Sequence, residues 1–404
     1  MRRGNRLFLA IFALLLAAPL VTQIFGLERI GSKKKAVPSE NRELAAAPAL
    51  PNTLEGLVAW PAALDRYLGD HFGLRRPMIE INDRLHWAVF HETVSPRLLV
   101  GQKGRLFLDT PAKPFDSLQR GCGLGMAPDA PRRAADELIR VLDKFRPLQP
   151  RLVYMLVPTS PALYPDELPS WLQKQCAGVA RPADKMAEEL GERADFYYPL
   201  ALMQGLDGER TVIPKTNFHW EGLNARYVAE AAMREKMGID PEVAIEGHPT
   251  RRASDLTRFN PGAGLENKLF LPDFAAAGIQ ECQGAQCFPE LDSAGPVLSS
   301  LSRFTREGGT KRRLLILSDS FGAGIAGFFA EGFNEVRHFS TNNYDRLDEG
   351  QRALFARAIW QDYRPDVLLL IYHDGSALEN PRALAQRFFP EGPADKLNSI
   401  RLED

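Results

Sequence analysis

Residues 313–322 read RLLILSDSFG, an apolar run that stops at Ser-Asp-Ser and is followed by Phe-Gly. Similar apolar runs lie at residues 151–157, 335–339 and 366–372, and residues 348–362 between the last two have helical spacing. Short apolar strands that alternate with helices are typical of a parallel sheet covered on both faces. The sequence therefore predicts an α/β fold with a mostly parallel central sheet flanked by helices.

Polar residues follow three of the predicted strands, at the edge where such sheets bind their ligands. Ser320 lies between the first strand and a helix predicted over residues 322–331, so its hydroxyl can be exposed beside backbone N–H groups that stabilise an oxyanion. The alternative is a serine that only caps the helix. Asn343, His373 and Asp374 follow the other strands and are candidates for substrate or oxyanion contacts, with ordinary turn chemistry as the alternative.

A serine nucleophile needs a base, and His219 is the candidate because it lies just before a predicted helix, next to Trp220. In an extended segment, residues two apart project to the same side. Asn217 can then accept a hydrogen bond from His219 Nδ1 while Nε2 faces the serine. We predict Ser320 as nucleophile, His219 as base and Asn217 as the residue that orients it. A structural histidine beside a tryptophan is the alternative.

Four cysteines, an even number, permit three disulfide pairings. Cys282 and Cys287 can close a short local loop, which leaves Cys122 and Cys176 as the longer link. A zinc site is the alternative, but neither Cys-x-x-Cys nor a nearby His-x-x-x-His accompanies these residues. The sequence favours disulfides, which form in oxidising compartments.

The N-terminus has Arg2, Arg3 and Arg6 before an uncharged, largely apolar run at residues 7–25. A basic segment followed by such a run is typical of a signal anchor. No small-residue cleavage signature follows, so we predict a retained anchor over residues 1–26, with a cleaved signal or a buried helix as alternatives. The remainder is then periplasmic, attached to the bacterial inner membrane.

Composition divides the rest of the chain. Residues 27–53 are polar and rich in Pro and Ala, which predicts a tether. Residues 54–390 are predicted to form the packed domain, with an irregular insertion over 241–299, and 391–404 a tail. The 50 basic and 51 acidic side chains leave a charge of -1, so no nucleic-acid partner is expected. The residues suggest no metal site, and no nucleotide-binding glycine loop follows a strand. Neither a metal nor a cofactor is therefore predicted.

Several segments together resemble the SGNH-hydrolase-like domain of the alginate O-acetyltransferases, the AlgJ/AlgX family. That family has Asp-x-His-Trp before Gly-Asp-Ser-Phe, the reverse of the order in ordinary SGNH esterases. The matching segments here are 216–220 and 318–322, and further similarity lies at 40–42, 67–75, 101–107, 157–159, 164–165 and 168–169. The resemblance covers about residues 40–380 and implies that Ser320 carries acetyl as an ester while His219 acts as general base. It also implies a membrane-bound O-acyltransferase as acetyl donor and an exported, alginate-like polysaccharide as acceptor.

The chain departs from the family pattern at three places. Asn217 replaces an aspartate, and Ser318 replaces a glycine. Residues 373–375 occupy the strand end where ordinary SGNH enzymes have Asn-Asp and this family commonly has Glu-Arg. Asp374 is a hypothetical replacement for the acid missing at 217. The predicted function is polysaccharide O-acetyltransferase. A non-catalytic periplasmic scaffold of a polysaccharide-modification complex and a carbohydrate acetylesterase are the alternatives.

Overall fold

A computed structural model of the protein describes residues 3–24, 44–71, 73–149, 151–206 and 208–389. The chain divides into two compact units, one made of Met1–Val100 with Ala253–Leu265 and the other of Gly101–Arg252 with Glu266–Asp404. Most of the predicted tether and all of the predicted tail lie outside the described residues. The domain boundaries derived from composition stay a prediction.

The first unit is helical. It contains α1 (Arg3–Ile24), α2 (Leu54–Asp70), α3 (Arg75–Leu85) and the short strand β1 (Leu98–Val100). Helix α2 begins after Thr53, whose hydroxyl accepts a hydrogen bond from Gly56 N–H at 3.1 Å, as a capping residue does. Helix α1 falls within the predicted anchor, which stays a prediction. In the part of the chain that the structure describes, no helix has both the length and the apolar character needed to cross a membrane.

The second unit alternates strands and helices. Its elements in chain order are β2 (Leu106–Leu108), α4 (Ser117–Gly121), α5 (Ala130–Phe145), β3 (Leu152–Val157), α6 (Ser160–Leu163), α7 (Ser170–Cys176), α8 (Pro182–Leu190), β4 (Phe196–Tyr197), α9 (Leu200–Gln204), α10 (Ala225–Ala232), β5 (Gly247–Ala253), β6 (Glu266–Pro272), β7 (Ile279–Gln283), β8 (Leu301–Arg306), β9 (Arg313–Ser318), β10 (Glu335–Ser340), α11 (Glu349–Arg357), β11 (Val367–His373) and α12 (Asn380–Phe388).

The central sheet has seven strands in the order β4-β3-β11-β9-β10-β8-β7. The five strands from β4 to β10 are parallel to one another. Strand β8 pairs antiparallel with β10, and β7 pairs antiparallel with β8. Strand β9 lies between β11 and β10, so that Leu317 stands opposite Leu370 on one side and Phe339 on the other. The predicted α/β architecture with a mostly parallel sheet is confirmed.

Both faces of the sheet are covered. Leu315 and Leu317 of β9 belong to one apolar cluster with Phe145 of α5. The intervening Ile316 belongs to a second cluster on the opposite face, with Val228 of α10. This alternation follows from the two-residue repeat of a strand, and it explains why β9 is apolar at every position between its ends.

The segment predicted to be irregular, residues 241–299, contains strands β5, β6 and β7. Strand β5 pairs with β6, and β7 joins the central sheet beside β8 with Cys282 opposite Arg303. The prediction is corrected here. Strands β5 and β7 are exposed at most positions, and the apolar run of β6 is only three residues long, at 269–271, so none of the three strands has the long apolar run of the buried strands. Gly and Pro around them mark the turns rather than an absence of strands.

Both disulfides that the sequence favours are confirmed, Cys122 with Cys176 and Cys282 with Cys287. The first links residues 54 positions apart in the chain. A link of this span lowers the conformational entropy of the unfolded chain, which typically stabilises a fold by about 2 to 4 kcal/mol.

Glu331 is fully buried, which predicts a pH-dependent stability. One carboxyl oxygen accepts from Ile245 N–H at 2.8 Å, while Oε2 has no partner among the described residues. Burial raises the pKa of Glu331 to about 7. A raised folded pKa means that the stabilising proton is fully held below the unfolded pKa, about 4.3, and is lost as pH rises through 7. Stability should therefore fall by about 3 kcal/mol between pH 4.5 and 8 through this group.

Glu331→Gln should remove this part of the pH dependence because the amide stays neutral. Urea unfolding of the two proteins across pH 4.5–8 measures it. The two stability curves should diverge with rising pH, the variant becoming the more stable, and parallel curves would show that Glu331 titrates normally.

Candidate active site

The nucleophile candidate lies where β9 ends. Ser318 is the last residue of the strand and Ser320 begins a short 3₁₀ helix. Between them, Asp319 accepts hydrogen bonds at 2.8 Å from Phe321 N–H through Oδ1 and from His373 N–H through Oδ2. Asp319 thus ties the turn after β9 to the end of β11, and Ser320 is left half-buried at the carboxyl edge of the sheet.

His219 lies directly against this serine, with Nε2 2.8 Å from Ser320 Oγ. The two residues are 101 positions apart in the chain, and both remain partly accessible to solvent. A neutral imidazole with an unprotonated Nε2 accepts a hydrogen bond from the hydroxyl at this distance. At this distance His219 can take the proton of the Ser320 hydroxyl, as a general base must, and the catalytic roles of the two residues stay a prediction.

The segments carrying the two residues are fastened to each other beside them. Trp220 Nε1 donates to the backbone oxygen of Phe321 at 2.7 Å, and the Phe321 ring lies 4.8 Å from that of His219 between centroids. A Cβ at Gly324 would lie 2.7 Å from the Trp220 ring, so only glycine permits this approach. Trp220, which follows His219, therefore holds the segment that carries His219 against the turn that carries Ser320.

Asn217 is buried and bonded on both sides of its amide. Its Oδ1 accepts from Asn267 Nδ2 at 2.7 Å, and its Nδ2 donates to Glu221 Oε2 at 2.7 Å. A carboxylate only accepts, so Glu221 fixes which way the amide points. Sequence reasoning missed Asn267, about 50 residues away, and Glu221, for which the four-residue spacing from Asn217 was the one available signal. The predicted orientation of His219 by Asn217 stays a prediction.

The contact with Glu221 predicts how an aspartate at position 217 would change stability and acylation. Asn217→Asp would place a second carboxylate at hydrogen-bond distance from Glu221, where like charges oppose ionisation of both. The single variant is expected to be less stable by about 1 to 3 kcal/mol and no faster in acylation. Adding Glu221→Gln supplies a donor again, so the double variant should recover stability. Urea unfolding and acylation rates of both variants measure this, and equal stability of the two would contradict it.

His373 lies beside the pair. Its ring is 5.6 Å from Phe321 and 5.8 Å from Phe218 between centroids, and its Nδ1 accepts from Gly375 N–H at 3.1 Å. Together with Phe218 it also lines a cavity of about 730 Å³ whose walls include Phe107, Leu118, Arg181 and Asp374. The structure thus brings His373 to the edge of the candidate site, where it can contact a bound molecule.

Asp374 is engaged elsewhere. Its Oδ1 accepts from Thr159 N–H at 3.0 Å and from the Thr159 hydroxyl, and its Oδ2 accepts from Arg181 Nη2 at 2.6 Å. These partners account for both carboxylate oxygens of a buried side chain. The hypothesis that Asp374 orients His219 is corrected accordingly: it neutralises Arg181 and ties the end of β11 to the residues after β3.

The Asn343 side chain likewise has a partner of its own. Its Nδ2 donates to the backbone oxygen of Val297 at 3.2 Å, and the residue directly precedes a 3₁₀ turn over Tyr344–Arg346. The structure therefore shows Asn343 in the turn role that the sequence left open as the alternative, and an oxyanion contact from it stays a prediction.

No protein-family model matches the chain, and no curated protein matches its sequence. Similar solved structures include a DHHW family protein from Eubacterium siraeum DSM 15702, at 16% identity and a TM-score of 0.46, covering 72% of this chain and 99% of that one. PatB1 of Bacillus cereus has 15% identity and a TM-score of 0.44 over 69% of this chain and 96% of its own. The O-acetyltransferase domain of Pseudomonas putida AlgJ has 18% identity and a TM-score of 0.40 over 72% and 98%. AlgX of Pseudomonas aeruginosa is also among the similar structures, at 12% identity and a TM-score of 0.33 over 70% of this chain and 67% of its own.

Proposed function

We propose that this chain is a periplasmic O-acetyltransferase that carries acetyl as an ester on Ser320 and passes it to hydroxyl groups of an exported, alginate-like polysaccharide. The observation that supports this most directly is the 2.8 Å contact between His219 Nε2 and Ser320 Oγ at the carboxyl edge of the sheet. Acyl transfer through a serine ester requires an accessible serine hydroxyl within hydrogen-bond distance of a base such as an imidazole.

The first half of the reaction acylates the serine. As Ser320 Oγ attacks the acetyl carbonyl of the donor, its proton passes to His219 Nε2. The bond between acetyl and the donor oxygen then breaks, and the imidazolium returns its proton to that leaving oxygen. In the second half, His219 takes the proton of an acceptor hydroxyl, whose oxygen attacks the ester, and the proton returns to Ser320 Oγ. After both halves, Ser320 and His219 are again in their starting protonation states, and the acetyl group has moved from the donor to the acceptor.

Transfer to a sugar rather than to water requires that water be kept away and that the acceptor be held close. The rings of Phe218 and Phe321 lie 4.9 and 4.8 Å from that of His219 between centroids. The His373 ring packs against both at 5.8 and 5.6 Å. The adjoining cavity of about 730 Å³ has room for sugar units. These features favour transfer over hydrolysis.

The partners follow from the same resemblance. A membrane-bound O-acyltransferase would deliver the acetyl group, and attachment to the inner membrane through residues 1–26 would keep the chain beside it. Two disulfides are compatible with the periplasm, where thiols are oxidised.

The test is to incubate the full chain with 4-nitrophenyl acetate and locate the acyl group by mass spectrometry. We expect one acetyl group on the peptide that contains Ser320, and none there in Ser320→Ala. Adding an unacetylated polyuronate oligosaccharide should then move acetyl to the sugar. Release as free acetate alone would favour an acetylesterase, and the absence of any adduct on wild type would favour a non-catalytic scaffold.

A further inference from the structure

Three buried side chains form a row behind the serine turn. Ser318 ends β9, His338 lies on the neighbouring strand β10, and Ser302 stands opposite His338 on β8. Ser318 and His338 are fully buried and Ser302 almost so. The pair Ser318 and His338 is therefore sealed from substrate, unlike Ser320 and His219, and calls for a different role.

The hydrogen bonds in this row have a definite direction. Ser318 Oγ lies 2.6 Å from the backbone oxygen of Asp319, which can only accept, so the hydroxyl hydrogen points there. His338 Nε2, 2.8 Å from the same Oγ, must then be the donor. A neutral ring protonated at Nε2 accepts at Nδ1, where Ser302 Oγ lies at 3.3 Å. The chain runs from Ser302 through His338 and Ser318 to the Asp319 carbonyl.

Two further observations support this assignment. Burial lowers the pKa of His338 to about 3, so the ring stays neutral and carries one N–H. A Cβ at Gly322 would lie 2.1 Å from Ser318 Oγ and 2.7 Å from His338 Nε2. The serine turn is therefore packed directly against the row, and glycine at 322 is what makes room for the hydroxyl that position 318 adds.

We propose that Ser318 and His338 are positioning residues that hold and polarise the peptide group between Asp319 and Ser320, whose N–H belongs to the nucleophile. This inference rests on the proposed function, since it concerns the oxyanion formed when Ser320 is acylated. Hydrogen bonding at the oxygen of a peptide group strengthens its N–H as a donor. That N–H is a standard contact of the oxyanion in serine enzymes.

The preceding peptide group is fixed in the same way. The backbone oxygen of Ser318 accepts from Thr341 N–H at 2.7 Å and from Thr341 Oγ1 at 3.0 Å. The backbone carbonyls of Ser318 and Asp319 each accept a hydrogen bond from a buried donor. These bonds fix the two peptide groups of the turn and therefore the direction of their N–H groups. In a chain whose position 217 supplies no charge, a stronger oxyanion donor offsets part of that loss.

Ser318→Ala removes the hydroxyl that ends the row and keeps the Cβ. We expect the acylation rate constant with 4-nitrophenyl acetate to fall about three- to ten-fold with KM unchanged, because the donor acts on the transition state. Ser302→Ala, at the far end, should give a smaller loss of the same kind. Ser340→Ala is the matched control, since this serine is equally buried on β10 opposite Ser318 but bonds to Ser299. It should leave the rate unchanged.

A second readout does not depend on activity. In ¹⁵N-labelled full-length wild type, NMR should show His338 as a neutral Nε2–H tautomer between pH 5 and 8, and the Ser320 amide proton should move upfield in Ser318→Ala but not in Ser340→Ala. An Nδ1–H tautomer, or a Ser320 amide unmoved by Ser318→Ala, would overturn the proposal. These shifts decide the inference even if wild type forms no acyl-enzyme, whereas a missing adduct with the shifts present rejects only the transferase activity.

Discussion

His219→Ala should slow acylation of Ser320 by a factor of about 10³ to 10⁶, as loss of the base does in other serine enzymes. The reason is the 2.8 Å contact with His219 Nε2, through which the hydroxyl proton can leave. Stopped-flow measurement of the nitrophenolate burst gives the rate directly. The loss should appear in the acylation rate constant, with KM for the ester little changed.

His248→Ala is the control for this experiment, because His248 is exposed on β5 and lies outside the candidate site. It should acylate at the wild-type rate. If His219→Ala retained more than about a tenth of that rate, a different base would have to serve Ser320, and the proposed mechanism would be rejected.

Asp374→Ala should unfold the protein more easily without slowing the chemistry of the molecules that remain folded. The change removes the carboxylate that bonds Arg181 at 2.6 Å, leaves the guanidinium with the more distant carboxylate of Asp184 at 3.6 Å, and leaves Thr159 without an acceptor. Removing one partner of a buried ion pair typically costs about 3 to 5 kcal/mol. Urea unfolding measures this loss, and acylation per folded molecule should stay within about two-fold of wild type because both carboxylate oxygens of Asp374 bond to Thr159 and Arg181.

Asp345→Ala provides the comparison, since Asp345 is largely exposed and pairs with Arg387 at 3.1 Å. An exposed pair of this kind is worth about 0 to 1 kcal/mol. Equal losses in the two variants would contradict the assignment of Asp374 to a buried ion pair, and a large fall in acylation by Asp374→Ala would return it to the catalytic mechanism.

The sequence was sufficient to predict the strands that are buried on both faces and the polar residues that follow them. An uninterrupted apolar run such as residues 314–317 has few alternatives in an α/β chain, and the residues after it must lie at the carboxyl edge. The contact between Ser320 and His219 followed from chemistry, since few of the seven histidines lie near a turn that could reach the sheet edge.

What the sequence could not predict depends on contacts between distant polar side chains. Neither Asn267 beside Asn217 nor Arg181 beside Asp374 has a local signal, because any exposed polar residue fits the same pattern. The helix predicted over residues 322–331 is built from 3₁₀ turns instead. Its glycines at 322, 324 and 327 each pack against a neighbouring side chain more closely than a Cβ would allow, and these close approaches prevail over helical spacing.

The two margins of the central sheet differ from its interior. Strand β4 has only two residues, and β7 presents Gln280, Glu281 and Gln283 before the Cys282 to Cys287 loop turns the chain away. Short or charged outer strands give an incoming strand little to pair with. The folded central sheet is consequently a poor template for fibril growth, so aggregation through this sheet should follow the fraction of unfolded protein rather than the total concentration.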